Sequence, residues 1–298
     1  MTMLCRRTPS SLVAHAPAKL NLFLRVLGKR ADGYHEIETV MIAVDLYDTL
    51  IFSPASGGAV DLTVRQAGPA ALPIPTGSEN LVVRAALLLK SEAGVAHGAR
   101  ITLIKRIPPA AGLGGGSSDA AATLDGLNRF WSVGMDRHAL CDLAGRLGSD
   151  VPFFLGPTSA AVCRGRGEVI EPLRLPSGWT FVVARPSSGL STPAVYRECR
   201  PEPGGDGAGE LCEALRGGRL DLAGRRLRND LQKPAERLNR DVVRLSQLFS
   251  AEPVWGHQLS GSGTAYFGLC SSRGQGFAVA GRLRSRGVPW VTVVQSRC

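Results

Sequence analysis

The order of apolar and polar positions along the chain switches repeatedly between a period of two and a period near 3.6, and the switches predict its elements. An apolar, alternating segment from Leu20 to Val26 predicts a strand, with a turn from Gly28 to Gly33. Ile37 to Val44 and Asp48 to Phe52 read as two further strands, the second ended by the loop Ser53 to Gly58, and Leu62 to Arg65 is expected to pair back. After a Pro- and Gly-rich loop, Gly68 to Gly77, the run Asn80 to Leu89 has helical spacing with Asn80 placed as its cap. Arg100 to Arg106 alternates like a strand. Ala121, Leu124, Leu127 and Trp131 then mark a helix that begins near Ser117, with Ser117 or Ser118 as cap and Asp119 in its first turn.

Met135 to Leu147 repeats the helical pattern with Leu140, Leu143, Ala144 and Leu147 on one face, and Gly148 ends it before Asp150. Beyond Pro157, Ala160 to Arg164 and Thr180 to Ala184 are strands, Pro201 to Gly209 a surface loop, and Leu220 to Leu227 and Val242 to Phe249 helices. Trp255 to Leu259, Ala265 to Leu269 and Trp290 to Val294 add strands, with a helix around Gly276 to Arg286. Strands and helices come in blocks, with no regular βαβ alternation and no internal repeat, so the fold class is α+β.

Composition narrows the class without naming an activity. At 298 residues the chain exceeds what one core usually organises, so two lobes are expected. Hydrophobic residues at 44% indicate a globular protein, and no apolar run approaches membrane-spanning length. The opening MTMLCRRTPSSLVAHA has an apolar core of only Leu12 to Ala14, too short for a signal sequence, so the expected location is the cytoplasm with no membrane partner. Seven cysteines (5, 141, 163, 199, 212, 270 and 298) are dispersed, without a Cys-x-x-Cys or a histidine at ligand spacing. They argue against a disulfide framework and structural zinc. Of the 35 basic residues behind the formal charge of +10, only five are lysine. That charge describes a solvated basic surface and is consistent with anionic substrates, without selecting any.

The most informative stretch is Pro108 to Gly116, PPAAGLGGG, followed by SSDAAATLDGL. Glycines let a loop take positive φ and turn its N–H groups toward a ligand, and the helix that follows adds the positive end of its dipole. Phosphate is the natural guest. No Gly-Lys-Ser/Thr closes the stretch, so it is not a Walker A loop, and Ser117 stands where the dinucleotide fingerprint has its third glycine. A glycine-rich connection with no ligand stays open on this segment alone.

Pro108-x-x-x-Gly112-Leu113-Gly114, continuing through Ser117-Ser118, resembles the phosphate-binding motif of the GHMP kinase superfamily, which phosphorylates small alcohols and metabolites with ATP. Three further segments resemble that superfamily in its own order: Ala16-Pro17-Ala18-Lys19-Leu20-Asn21-Leu22-Phe23-Leu24, Leu147-Gly148-Ser149-Asp150-Val151-Pro152-Phe153-Phe154, and Leu259-Ser260-Gly261-Ser262-Gly263-Thr264-Ala265. The resemblance implies a two-lobed GHMP kinase fold with the active site in the cleft between lobes. Residues 1–163 would form the N-terminal, ATP-binding lobe, and residues 164–298 the C-terminal lobe contributing to the acceptor site. Arg30 to Thr39, RADGYHEIET, resembles the cytidine-binding region of the branch acting on the 2-hydroxyl of 4-diphosphocytidyl-2-C-methyl-D-erythritol, in non-mevalonate isoprenoid synthesis.

Under that resemblance Asp150 is the catalytic proton acceptor, and Lys19 orients it and offsets charge on the transferred group. A turn aspartate at a helix end is the plain alternative for Asp150. Pro109, Ala110, Gly112, Leu113, Gly114, Gly115, Gly116, Ser117 and Ser118 would hold ATP. Asn80 would reach the adenine, or simply cap its helix. Lys105 would approach the phosphates, or be a solvated strand-end lysine. Asn21, Tyr34, His35, Thr192, Gly261 and Ser262 would bind the acceptor, a small-molecule cytidine diphosphate, with the two rings stacking on or bonding to cytosine. A surface-turn histidine and a hairpin Gly-Ser-Gly are the plain alternatives for His35 and for Gly261 to Gly263.

ATP and Mg²⁺ are the implied cofactors, the metal's protein ligands are unknown, and a monomer or weak homodimer without nucleic acid is expected. Two other readings stay in play: another small-molecule GHMP kinase of homoserine or mevalonate type, and a non-catalytic RNA-binding protein. The last wants clustered basic residues interleaved with aromatics, whereas aromatics are only 6% and the arginines are spread over the chain. Arg197 to Gly218 has no wording that resembles the superfamily, which leaves the outer wall of the acceptor site open.

Overall fold

A computed structural model describes residues 4–8, 10–67, 74–176, 178–201 and 206–297. Residues 68–73 of the expected Gly68 to Gly77 loop, 202–205 of the expected Pro201 to Gly209 loop, and Cys298 lie outside the described residues. In chain order the elements are β1 (Leu4–Arg7), β2 (Leu12–Lys29), β3 (His35–Ala55), β4 (Val60–Gln66), α1 (Leu81–Glu92), β5 (Gly98–Lys105), α2 (Gly115–Phe130), α3 (Arg137–Leu147), α4 (Val151–Leu155), β6 (Ala160–Arg164), β7 (Val169–Leu173) and β8 (Thr180–Arg185). There follow α5 (Thr192–Glu198), α6 (Gly209–Arg216), α7 (Leu220–Arg225), β9 (Arg228–Asn229), α8 (Gln232–Leu238), α9 (Arg240–Ser250), β10 (Gly256–Leu259), β11 (Tyr266–Cys270), α10 (Arg273–Ser285) and β12 (Trp290–Gln295).

Two compact units interleave along the chain. The first comprises Met1–Ala18, Leu46–Pro109 and Gly114–Pro157, and the second Lys19–Asp45, Ala110–Leu113 and Thr158–Cys298. Strands β2 and β3 therefore each begin in one unit and end in the other.

In the first unit β1 lies antiparallel to the start of β2, the end of β3 runs antiparallel to β5, and β4 joins β5 in parallel. Helix α2 is buried along most of its length by small residues, Ala120, Ala121, Ala122 and Gly126, between Leu124 and Leu127. A Cβ on Gly126 would come within 2.4 Å of the Phe52 ring, so glycine there lets the helix lie against β3.

In the second unit the start of β3 pairs with β6, the end of β2 with β9, and β10-β11-β8-β12 form an antiparallel sheet. Helix α9 buries Val242, Leu245 and Phe249, spaced three and four apart, in a core with Val182, Tyr266, Val279 and Leu283. Eleven residues make only a marginal helix alone. Burial of a side chain such as Phe249, worth about 1.5–3 kcal/mol, is what holds α9 in place.

The expected pair of strands at 37–44 and 48–52 is one continuous strand, β3. Residues 45–47, left between the two expected strands, continue it, and the flanking carboxylates accept backbone N–H groups: Asp45 that of Gln295 at 2.6 Å, and Asp48 those of Arg106 and Ile107. The segment expected to pair back is β4, and it pairs in parallel with β5 rather than returning along β3. Helices α4, α5, α6 and α8, at five to eight residues, are too short to show a reliable period.

Candidate active site

Strand β5 brings the chain to Pro108 and Pro109, and the glycine stretch turns it into α2. Three backbones in that turn are left-handed: Ala110 (φ 53°), Gly112 (φ 83°) and Gly114 (φ 68°). Helix α2 begins at Gly115 with Gly114 in its N-cap position and no side-chain cap, so Ser117 and Ser118 lie inside the first turn and neither caps it. The physical reason is the left-handed turn at Gly114, whose carbonyl already accepts the Ser118 N–H at 2.9 Å. The N–H groups of Gly115, Gly116 and Ser117 open the helix, where none has an intrahelical acceptor. The Ser118 hydroxyl is fully buried without a hydrogen-bond partner among the described residues.

Lys105 is neither solvated nor open to solvent-borne phosphate. It is 7% exposed, and its ammonium donates to Asp48 and, at 2.7 Å, to Asp119. Burial pulls its pKa down, but Asp119 and Asp48 together outweigh that and the net direction is upward. A Cβ on Gly115 would stand 3.1 Å from the ammonium, so glycine at that position makes room for Lys105 beneath the first turn of α2. Asn80 caps α1, accepting the Val82 N–H at 2.9 Å and donating to the Pro75 carbonyl at 2.6 Å. Asp150 stands half-buried at the start of α4, and its side chain does not cap that helix. All of these residues except Ala110, Gly112 and Leu113 belong to the first unit.

The second unit holds Lys19, 4% exposed, whose ammonium donates to the Asn21 side-chain carbonyl at 2.5 Å. Asn21 passes the chain of bonds on, donating to Thr39 at 2.9 Å, and Thr39 donates to the Phe23 carbonyl at 2.6 Å. Its backbone is gripped as well, by the Gln258 amide at 2.8 Å and the Ser260 hydroxyl at 3.3 Å. The glycine turn at residues 110–113 and the one at residues 260–264 meet backbone to backbone. Lys19 N–H donates to the Leu113 carbonyl, Ala265 N–H to the Ala111 carbonyl, and the Ser260 hydroxyl to the Gly112 carbonyl. Gly261, at φ 61°, would with a Cβ lie 3.1 Å from the Asn21 oxygen and 3.4 Å from the Lys19 ammonium.

Tyr34 and His35 sit at the start of β3, after a turn closed by the Arg30 N–H on the Tyr34 carbonyl. Tyr34 is exposed and carries the Arg166 guanidinium 4.8 Å above its ring. His35 packs at 5.0 Å, tilted 32°, against the ring of Tyr196 on α5. Burial, then Lys29, moves its pKa down, so His35 is neutral at pH 7. Thr192 opens α5 and bonds through its hydroxyl to Ser262 at 2.8 Å, tying α5 to the second glycine turn.

Tyr196 was missed by sequence reasoning, although it follows Thr192 by four residues and shares its helical face. Asn229 was missed too. It is 9% exposed, donates to the Leu259 and Gly261 carbonyls at 2.9 and 2.8 Å, and accepts the Leu231 N–H at 2.9 Å. Nothing in its local sequence marks it.

Glycine turn, opened helix and buried lysine are the parts of a small-molecule phosphotransferase, and the family comparison agrees. The model of the GHMP kinases N terminal domain matches residues 80–156 and that of the GHMP kinases C terminal matches 211–288, which makes the chain a GHMP kinase. A 4-diphosphocytidyl-2-C-methyl-D-erythritol kinase of Pelotomaculum thermopropionicum is 41% identical over 92% of this chain and 94% of its own length. A crystal structure of 4-(cytidine 5'-diphospho)-2C-methyl-D-erythritol kinase superposes with TM-score 0.79 at 38% identity, over 96% of this chain and 99% of its own. A homoserine kinase from Cytophaga hutchinsonii reaches TM-score 0.74 at 19% identity over 98% of this chain and 96% of its own, a likeness of fold alone. The chain belongs to the family of 4-diphosphocytidyl-2-C-methyl-D-erythritol kinases. Among the described residues no helix is long and apolar enough to cross a membrane.

Proposed function

We infer that the chain transfers the γ-phosphoryl group of ATP to the 2-hydroxyl of 4-diphosphocytidyl-2-C-methyl-D-erythritol. The observation that carries the substrate is the pairing of the His35 and Tyr196 rings beside the exposed Tyr34, in a chain about 40% identical to kinases named for that compound. Cytosine presents one flat face and one hydrogen-bonding edge, and two aromatic rings with a neutral imidazole suit both. Thr192, Ser262 and Gly261 would line the acceptor's sugar-alcohol end.

ATP fits the turn at 109–118. Gly112, Gly114, Gly115 and Gly116 bare the backbone, the opening N–H groups of α2 with Leu113 and Ala110 would cradle its phosphates, and Asn80 would meet the base while capping α1. The unpartnered Ser118 hydroxyl offers an oxygen to a phosphate or to a nucleotide-bound Mg²⁺. Mg²⁺ would be held mainly by the phosphates of the nucleotide and by water. Bound, Mg²⁺ and ATP supply the phosphoryl group and the charge neutralisation it needs.

Asp150 takes the proton of the acceptor hydroxyl. Lys19, fixed in place by Asn21, lays its positive charge on the transferring group. We place this work in the cytoplasm, by a monomer or weak homodimer that needs no nucleic acid.

The test is ADP release from Mg²⁺-ATP with the cytidine compound, the same alcohol without cytidine, homoserine and mevalonate. Turnover that demands the cytidine supports the reading, and turnover with another alcohol discards the substrate while keeping the kinase. Asp150→Asn is expected to abolish turnover and leave ATP binding in place. Near-normal turnover by that variant would remove Asp150 from the role of base.

A further inference from the structure

Strands β6 and β7 form a hairpin whose turn, residues 165–168, is set against the start of β3. Arg164 pairs with Val169 across the hairpin, Cys163 of β6 lies opposite Thr39 of β3, and the Ile37 N–H donates to the Gly165 carbonyl at 2.8 Å. Glycines at 165 (φ 72°) and 167 (φ 119°) take the positive φ values of the turn. Glu168 closes it from within: one carboxylate oxygen accepts the Arg166 N–H at 2.6 Å, and the other lies 3.6 Å from the Arg166 guanidinium. A Cβ on Gly165 would stand 2.9 Å from the first of these oxygens, so the glycine also leaves room for the clasp. The guanidinium held in this way lies 4.8 Å from the centroid of the Tyr34 ring.

Tyr34 has a fixed backbone and an open side chain. Its N–H donates to Asp32 at 3.1 Å and its carbonyl accepts the Arg30 N–H at 2.8 Å, but the residue is 54% exposed. Among the described residues Arg166 is the one cation set against its ring. The neighbouring arginines are engaged with acids, Arg30 with Asp32 and Glu36, and Arg164 with Glu38 and Glu171. A ring that exposed loses rotamer freedom when a ligand stacks on it, and that loss weakens binding. A cation over one face restrains the ring beforehand and leaves the opposite face for the ligand.

We propose that Arg166 is a positioning residue for the acceptor: its guanidinium, clasped by Glu168, holds the Tyr34 ring so that a flat base stacks on the free face. The proposal rests on the cytidine reading of Tyr34 and His35, and adds to it a residue of the β6–β7 turn. Arginine suits the place better than lysine, because a planar, weakly hydrated guanidinium both stacks on a ring and meets a carboxylate with its remaining donors.

The test is a double-mutant cycle in acceptor kinetics, with the cytidine compound as acceptor and Mg²⁺-ATP saturating, for the wild type, Arg166→Ala, Tyr34→Ala and the double variant. Arg166→Ala is expected to raise the acceptor KM about three- to tenfold, with kcat and the KM for ATP nearly unchanged. In the Tyr34→Ala background the same substitution should change the acceptor KM by less than about twofold, because the ring it acts through is gone. Arg166→Lys should recover part of the loss and the uncharged Arg166→Met none. An equal loss in both backgrounds overturns the proposal, since the guanidinium then acts on the substrate directly. So does a fall in kcat that matches the rise in KM, or full recovery by methionine. If the wild type turns over another alcohol and not the cytidine compound, the substrate reading fails, while the cycle run on that alcohol decides Arg166 by the same rule. Proton NMR of the free protein tests the pairing without any acceptor. Arg166 side-chain protons shifted upfield by the ring in the wild type, and unshifted in Tyr34→Ala, support it; the same shifts in both proteins overturn it.

Discussion

A Cβ on Gly112 would lie 2.0 Å from the carbonyl oxygen of Ser260. The two glycine turns of the second unit are thus in backbone contact, and Gly263 repeats the relationship from the other side, its Cβ position falling 2.1 Å from the carbonyl carbon of Ala111. The glycines are required here for close approach as well as for the left-handed φ of 83° at Gly112.

Gly112→Ala adds a methyl group that must push Ser260 away and holds an unfavourable φ, at about 1–2 kcal/mol for the backbone alone. Lys19 and Asn21 are bonded to both turns and should shift with them. Displacement of catalytic groups by about 1 Å can cost about a hundredfold, so kcat/KM should fall by that order while the chain stays folded. Steady-state kinetics with a circular dichroism melt check it, and a kcat/KM within a few fold of wild type would show that the contact does not position Lys19.

Asn229→Ala leaves the Leu259 and Gly261 carbonyls without their buried donor. About 1–3 kcal/mol of stability should be lost for each group left unsatisfied. The acceptor's KM should rise more than that of ATP, because the loosened turn carries Gly261 and Ser262. Urea unfolding and the two KM values separate these effects.

Tyr196→Ala removes one ring of the His35–Tyr196 pair. Stacking on a base is worth about 1–3 kcal/mol, which predicts a rise in acceptor KM of roughly ten- to a hundredfold with kcat nearly kept. Tyr196→Phe should restore it. Equal losses for the alanine and phenylalanine variants would point to the hydroxyl rather than the ring.

Burial pushes the Asp119 carboxyl up to about 8, which predicts how stability varies with pH. From the ordinary carboxylate range up to about 8, the folded chain keeps a proton on Asp119 that the unfolded chain has released. The unfolded state binds fewer protons in that window, so this group makes stability fall as pH rises through it. The Tm of the wild type should therefore drop between about pH 5 and pH 8 more steeply than that of Asp119→Asn, and equal slopes would mean that the carboxyl titrates as an ordinary one.

The sequence by itself determined the local chemistry. The glycine run had to make a turn with positive φ, Asn80 had to cap α1, and the apolar spacing of α2, α3, α9 and α10 had to give helices, because each follows from neighbours within one or two turns. Only the tertiary structure decided what depends on distant partners. Residues 45–47 read as a gap between two strands until backbone donors from residues 295, 106 and 107 satisfied Asp45 and Asp48, and β4 took its parallel partner 39 residues further on. The sequence left Lys105 as a phosphate ligand or a solvated strand end, whereas two buried acids take its charge, and a left-handed turn at Gly114 started α2 before the serines expected to cap it. The ring partner of Tyr196 lies at residue 35 and the carbonyls held by Asn229 at residues 259 and 261, contacts that packing decides and periodicity does not.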